Sequence, residues 1–126
     1  MLRSRLALIL VAAPLLAAAP TGAGAHHTYV VKYDGAKTIR VSGVISSVEY
    51  GNPHISFTVE AGGKSWHVET ESPAACKAKG LTQALLKDGA KVTVTGWPAR
   101  DGSAQLGLNS ISFSGGPSLS VRGSPR

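Results

Sequence analysis

The chain has 126 residues, 43% of them hydrophobic, with 13 Lys and Arg against 7 Asp and Glu and a formal net charge of +6 at pH 7. That length allows one domain with a modest core, and a single cysteine excludes an internal disulfide framework. The basic residues, among them Lys32, Lys37, Arg40, Lys64, Lys77, Lys79, Lys87, Lys91 and Arg100, are scattered rather than blocked, which argues for a solvated surface and against nucleic acid as a partner.

Residues 1–25 carry the three parts of a secretory signal peptide. Arg3 and Arg5 form a positive start, Leu6 to Ala19 is apolar apart from Pro14, and Ala23-Gly24-Ala25 is a small-x-small cleavage site. The apolar run is shorter than the ~20 residues of a bilayer span, and no second such run follows. The expectation is therefore a periplasmic or secreted protein, cleaved after Ala25, with no membrane span once the signal is removed. A domain is expected over 26–113.

Strand signals dominate that domain. Thr38 to Tyr50 is expected as one long strand. Ile39, Val41 and Gly43 share one face and Val44, Val48 and Tyr50 the other parity, so a bulge or sharp coil is expected near Gly43. Ile55, Phe57 and Val59 alternate with polar residues in a second strand, and Trp66, Val68 and Thr70 do so in a third. Gly62-Gly63 between them suits a two-residue primed turn. That turn sets Val59 opposite Trp66 and Phe57 opposite Val68, and a shift of one would face apolar residues with polar ones.

Ser72 as N-cap, Pro73 at the first helical position and Gly80 as the stop predict a short helix, with a further helical piece over Leu81 to Leu86. Cys76, among alanines, is expected as a small buried residue. Val92 and Val94 mark a fourth strand ending at Gly96-Trp97-Pro98, with Trp97 plugging a barrel end and Trp66 in the core. Ala104 to Phe113 is the fifth strand, and its parity change between Leu108 and Ile111 implies a bulge. The Gly-, Ser- and Pro-rich tail over 114–126 is expected to be disordered. Three strands, a helix and two strands predict a mainly β fold: a small five-stranded OB-like barrel with one short helix between strands three and four.

The start His26-His27-Thr28-Tyr29, the Tyr33-Asp34 step, Gly51-Asn52-Pro53-His54, Trp66, Glu69 and the run from Leu86 through Asp101-Gly102 resemble a family of small exported bacterial proteins of unknown function. Its members begin with a His-His pair just after the signal and carry a central Asn-Pro-His. Tyr50 stands where that pattern has a tryptophan. The resemblance implies an exported β-rich domain and transfers no activity, cofactor or catalytic residue.

Cleavage after Ala25 would give His26 a free α-amine beside its imidazole. An amine, an amide and imidazoles form the nitrogen-rich square set that Cu(II) favours, and amine and imidazole titrate near neutral pH, at ~8 and ~6.5 in free chains. His26, His27 and His54 are the candidate metal ligands. Glu71, opposite His54 in the hairpin register, and Glu69, diagonal to it, are candidates to orient the His54 ring. His67 opposes Thr58, roughly 13 Å along the strand from His54, and is expected on the surface. The bland readings stand beside these: a His pair is also a polar, flexible start, and Asn52-Pro53-His54 is also a turn leading into a strand.

No Gly-x-Ser-x-Gly elbow, phosphate loop or Cys-x-x-Cys pair is present, so no enzyme is expected. The resulting expectation is a binding or accessory module for an unknown ligand or protein partner, with copper as the candidate cofactor. The alternatives are a metal-free interaction or scaffold domain and a copper-dependent oxidative enzyme.

Overall fold

Five strands close into a ring in the computed structural model, which describes residues 28–125. They are β1 (Ile39–Glu49), β2 (Ser56–Ala61), β3 (Lys64–Glu69), β4 (Lys91–Pro98) and β5 (Gln105–Phe113). The sheet order is β3-β2-β1-β4-β5, and a parallel β3–β5 pairing completes the barrel. The helix α1 (Pro73–Ala78) joins β3 to β4, and a short strand, β6 (Ser118–Ser120), lies outside the ring on the free edge of β5. This is the expected OB-like barrel with one strand added. The closing seam is short: His67↔Gln105, Val68↔Leu106 and Glu69↔Gly107.

Period-two alternation fills the interior. Val41 and Ile45 from β1, Phe57 and Val59 from β2, Val68 from β3, Val92 and Val94 from β4, and Leu106, Leu108 and Ile111 from β5 form the core with Cys76 and Leu81. The β2–β3 hairpin has the expected register, with Phe57↔Val68 and Val59↔Trp66. Gly62 and Gly63 both have positive φ, as a primed turn requires. Trp66 is partly buried against this core, with the Lys64 ammonium 4.2 Å from its ring centroid. The Ser72 hydroxyl accepts from the Ala75 amide, Pro73 opens α1, and Gly80 follows it at φ +89°. The further helical piece is absent: residues 82–86 form hydrogen-bonded turns around the Thr82 carbonyl.

Three further expectations are corrected. β1 changes parity at Ser47 (φ +50°), within the break between Ser46 and Glu49, not near Gly43. Gly43 meets a different demand. β1 pairs with β4 over Ile39–Val44 and with β2 from Val44 onward; where it crosses between them, a Cβ at Gly43 would overlap the Glu60 carbonyl. Trp97 does not plug a barrel end; it faces outward and is buried with Tyr29, Tyr33 and Ala99. The tail does not follow its composition: β6 pairs with β5 and Val121 is buried. The bulge expected in β5 lies at Asn109, where Thr95↔Ser110 is followed by Gly96↔Leu108. It frees the Asn109 carbonyl to accept from the Val121 and Arg122 amides. The expected signal peptide lies outside the described residues, and among those residues no helix is long and apolar enough to cross a membrane.

Candidate functional site

The pairings Trp97↔Gly107, Glu69↔Gly107 and Ser56↔Glu69 set one row of residues across the outside of the closing seam. The row is large, absent, charged and small. Gly107 leaves a notch between the indole and the carboxylate, and the Tyr29 ring occupies it; a Cβ on Gly107 would overlap the Tyr29 hydroxyl. Tyr29 reaches the notch from a single helical turn over residues 28–32, closed by the Tyr33 amide donating to the Tyr29 carbonyl at 3.0 Å.

That turn is fastened at its far end. Tyr33 bridges to Ala99, the Asp34 amide donates to the Pro98 carbonyl and the Arg100 amide to the Lys32 carbonyl. Tyr29 and Tyr33 lie one turn apart, their centroids 4.7 Å from each other, and Trp97 meets Tyr29 edge-on at 6.4 Å. Burying such a ring is worth roughly 2–3 kcal/mol, so the turn docks by its aromatic face. The C-terminal segment closes over it, with the Arg122 guanidinium 3.7 Å from the Tyr29 centroid.

Glu69 is the hub of this surface. Its Oε2 accepts from the Tyr33 hydroxyl at 2.6 Å and from Lys32 Nζ at 3.4 Å, while its Oε1 lies 3.8 Å from His54 Nδ1. Burial, then the bond to Glu69, pushes the Tyr33 phenol far above its ordinary range. Burial likewise raises Tyr29, against the opposing charge of Arg122. The Tyr29 hydroxyl is buried without a hydrogen-bond partner in the described structure.

Of the residues singled out in the sequence, His54 and Glu69 come together. Glu71 does not join them; its carboxylate goes to Lys79 at 2.9 Å and Arg122 at 3.6 Å, and Lys79 also donates to the Val121 carbonyl. Glu71 thus anchors the C-terminal segment. His67 is exposed and opposite Thr58, as expected. His26 and His27 lie outside the described residues and immediately precede Thr28. Among the described residues no group of three or more His, Cys, Asp or Glu side chains is gathered for a metal. Sequence reasoning missed Tyr29, Lys32, Tyr33, Lys79 and Arg122. The spacing Tyr29…Tyr33 was a readable signal, since residues four apart share one face of a helical turn.

Topology and site together define a small OB-like barrel whose N-terminal turn is docked across its closing seam. A family model described as "Family of unknown function (DUF6152)" matches residues 13–109, and the chain belongs to that family. No curated protein matches the chain.

Proposed function

We propose that this domain is an exported accessory module that holds Cu(II) between its processed N-terminal residues and His54. The observation that supports the reading is the Glu69 carboxylate: clamped by Tyr33 and Lys32, it faces His54 Nδ1. A ring whose Nδ1 faces a fixed carboxylate presents Nε2 outward, the arrangement common behind metal-bound histidines. The docked turn ties the chain immediately after His27 to the same patch of barrel, and each residue adds at most 3.8 Å between Cα atoms. His26 would supply its amine and ring nitrogen, His27 its ring nitrogen and His54 its Nε2; the Cu(II) ion itself prefers such nitrogen-rich square sets.

The test is calorimetric titration of copper into protein beginning at His26, beside a His26→Ala variant and a protein with two residues added ahead of His26. Submicromolar affinity that both changes abolish is the expected result. Micromolar or weaker binding that neither change affects would overturn the reading and leave a metal-free interaction domain.

A further inference from the structure

Outside the ring, the chain that follows β6 runs along the docked N-terminal segment. Its course is set by the bulge at Asn109. The Asn109 carbonyl accepts from the Val121 and Arg122 amides, and its side-chain amide donates to the Arg122 carbonyl at 2.6 Å. The Arg122 side chain is fixed separately. Its Nε lies 3.6 Å from Glu71, itself held by Lys79 at 2.9 Å, and its guanidinium lies 3.7 Å from the Tyr29 centroid. Two residues on, the Ser124 hydroxyl donates to the Gly35 carbonyl at 3.3 Å, and a Cβ at Gly35 would overlap the Pro125 carbonyl. The C-terminal segment thus straps the N-terminal one twice, with Arg122 over Tyr29 and Ser124-Pro125 over Gly35.

The two crossings carry different loads. Around Tyr33 the docked segment has backbone fastenings to the barrel, through the Tyr33–Ala99 bridge and the hydrogen bonds from Asp34 to Pro98 and from Arg100 to Lys32. Tyr29 is held by its ring. Gly107 and Trp97 lie on the barrel side and the guanidinium on the other, while the hydroxyl makes no hydrogen bond in the described structure. A cation over a ring face is attracted by the ring quadrupole, and a guanidinium already oriented by a carboxylate gives up little further freedom in stacking. Tyr29 follows His27 by two residues, and each residue spans at most about 3.8 Å between Cα atoms. The seat of Tyr29 therefore limits where the terminal amine and imidazoles can reach.

We propose that Arg122 is a positioning residue for the copper site: by keeping Tyr29 in the Gly107 notch it holds the processed terminus within reach of His54, and so couples the C-terminal segment to copper binding. This role rests on the copper site proposed above and adds a control on it from the opposite end of the chain. Such coupling is reciprocal. The segment tightens copper binding, and bound copper tightens the attachment of the segment.

Three measurements on protein beginning at His26 test it. Without metal, Arg122→Ala should speed hydrogen exchange of the Tyr33 amide, the donor to the Tyr29 carbonyl, by roughly fivefold or more, with the β2–β3 hairpin unchanged. In copper titrations, Arg122→Ala should lose roughly fivefold or more in affinity and take on the paramagnetic resonance spectrum of His54→Ala, whereas Arg122→Lys, which keeps a cation over the ring, should stay within about threefold of the unaltered protein. Removing a positive charge would by itself strengthen binding of a dication, so a fall in affinity separates positioning from charge. In the unaltered protein, copper should slow exchange over residues 118–125 by roughly threefold or more, and should not do so in His54→Ala. Unchanged Tyr33 exchange in Arg122→Ala, unchanged or raised copper affinity in that variant, or exchange over 118–125 indifferent to bound copper would each overturn the coupling and leave the copper site standing. An unaltered protein that binds no copper through His54 would instead overturn the copper site, and the coupling with it. The third measurement uses the unaltered chain, so a variant that fails to fold cannot obscure the outcome.

Discussion

At Gly107 the missing side chain is what lets the N-terminal turn lie down. A methyl group there would compete for the space of the Tyr29 hydroxyl, so Gly107→Ala should cost roughly 1–3 kcal/mol as overpacking. It should also lift the turn and wet Trp97. Tryptophan emission shifted to longer wavelength would report that lifting; an unshifted spectrum would mean that the turn adapts. Tyr33 provides a second handle. Its hydroxyl donates to a carboxylate at 2.6 Å, a bond whose loss in Tyr33→Phe should cost roughly 1–2 kcal/mol in urea unfolding. The pH dependence has a definite sign. The phenol of folded Tyr33 is held protonated well above its ordinary value of 10.0. Its contribution is therefore full below about pH 10 and declines as pH rises further, since only the unfolded chain then releases the proton. Urea melts above about pH 9.5 should show this decline in the native protein and a shallower one in Tyr33→Phe.

Among the elements, those written by alternation or by end signals were legible. The Gly62-Gly63 hairpin register, the Ser72-capped helix and the β5 bulge followed from parity and capping chemistry. β1 was harder, because glycine answers two different demands. At Gly43 the demand is close backbone approach to Glu60, whereas the residue with positive φ is Ser47. A serine in that region carries strain that glycine lacks. Ser47→Gly should leave stability unchanged or raise it by up to about 1 kcal/mol, and Ser47→Val should lower it by roughly 1–2 kcal/mol. Equal melts for the two variants would contradict a positive φ at this position. The tail was misjudged by composition. Its Gly, Ser and Pro content concealed the short alternation Ser118-Leu119-Ser120-Val121, which places Leu119 and Val121 against the core.

For the molecule as a whole, both ends converge on the β3–β5 seam. The N-terminal turn covers it through Tyr29 and Tyr33, and Arg122 lies over Tyr29 while Lys79 and Glu71 hold the C-terminal segment. A chain ending at Phe113 should therefore lose more stability than the burial of Val121 alone supplies, roughly 3–5 kcal/mol. It should also lose protection of the Tyr33 and Ala99 amides in hydrogen exchange. Unchanged exchange at those amides would separate the two ends. This convergence was only partly legible: the hairpin register set Glu71 opposite His54 and Glu69 diagonal to it without choosing between them, and the structure gives Glu69 to His54 and Glu71 to Lys79 and Arg122; the docking of the turn depends on a notch that only the three-strand row Trp97, Gly107 and Glu69 creates.

The proposal that the processed terminus and His54 share one Cu(II) ion is tested most directly by electron paramagnetic resonance of the copper-loaded protein beginning at His26, compared with its His54→Ala variant. The expected result is a nitrogen-rich square spectrum that loses one nitrogen in the variant, with affinity falling at least tenfold. Identical spectra and identical affinity in the two proteins would contradict it.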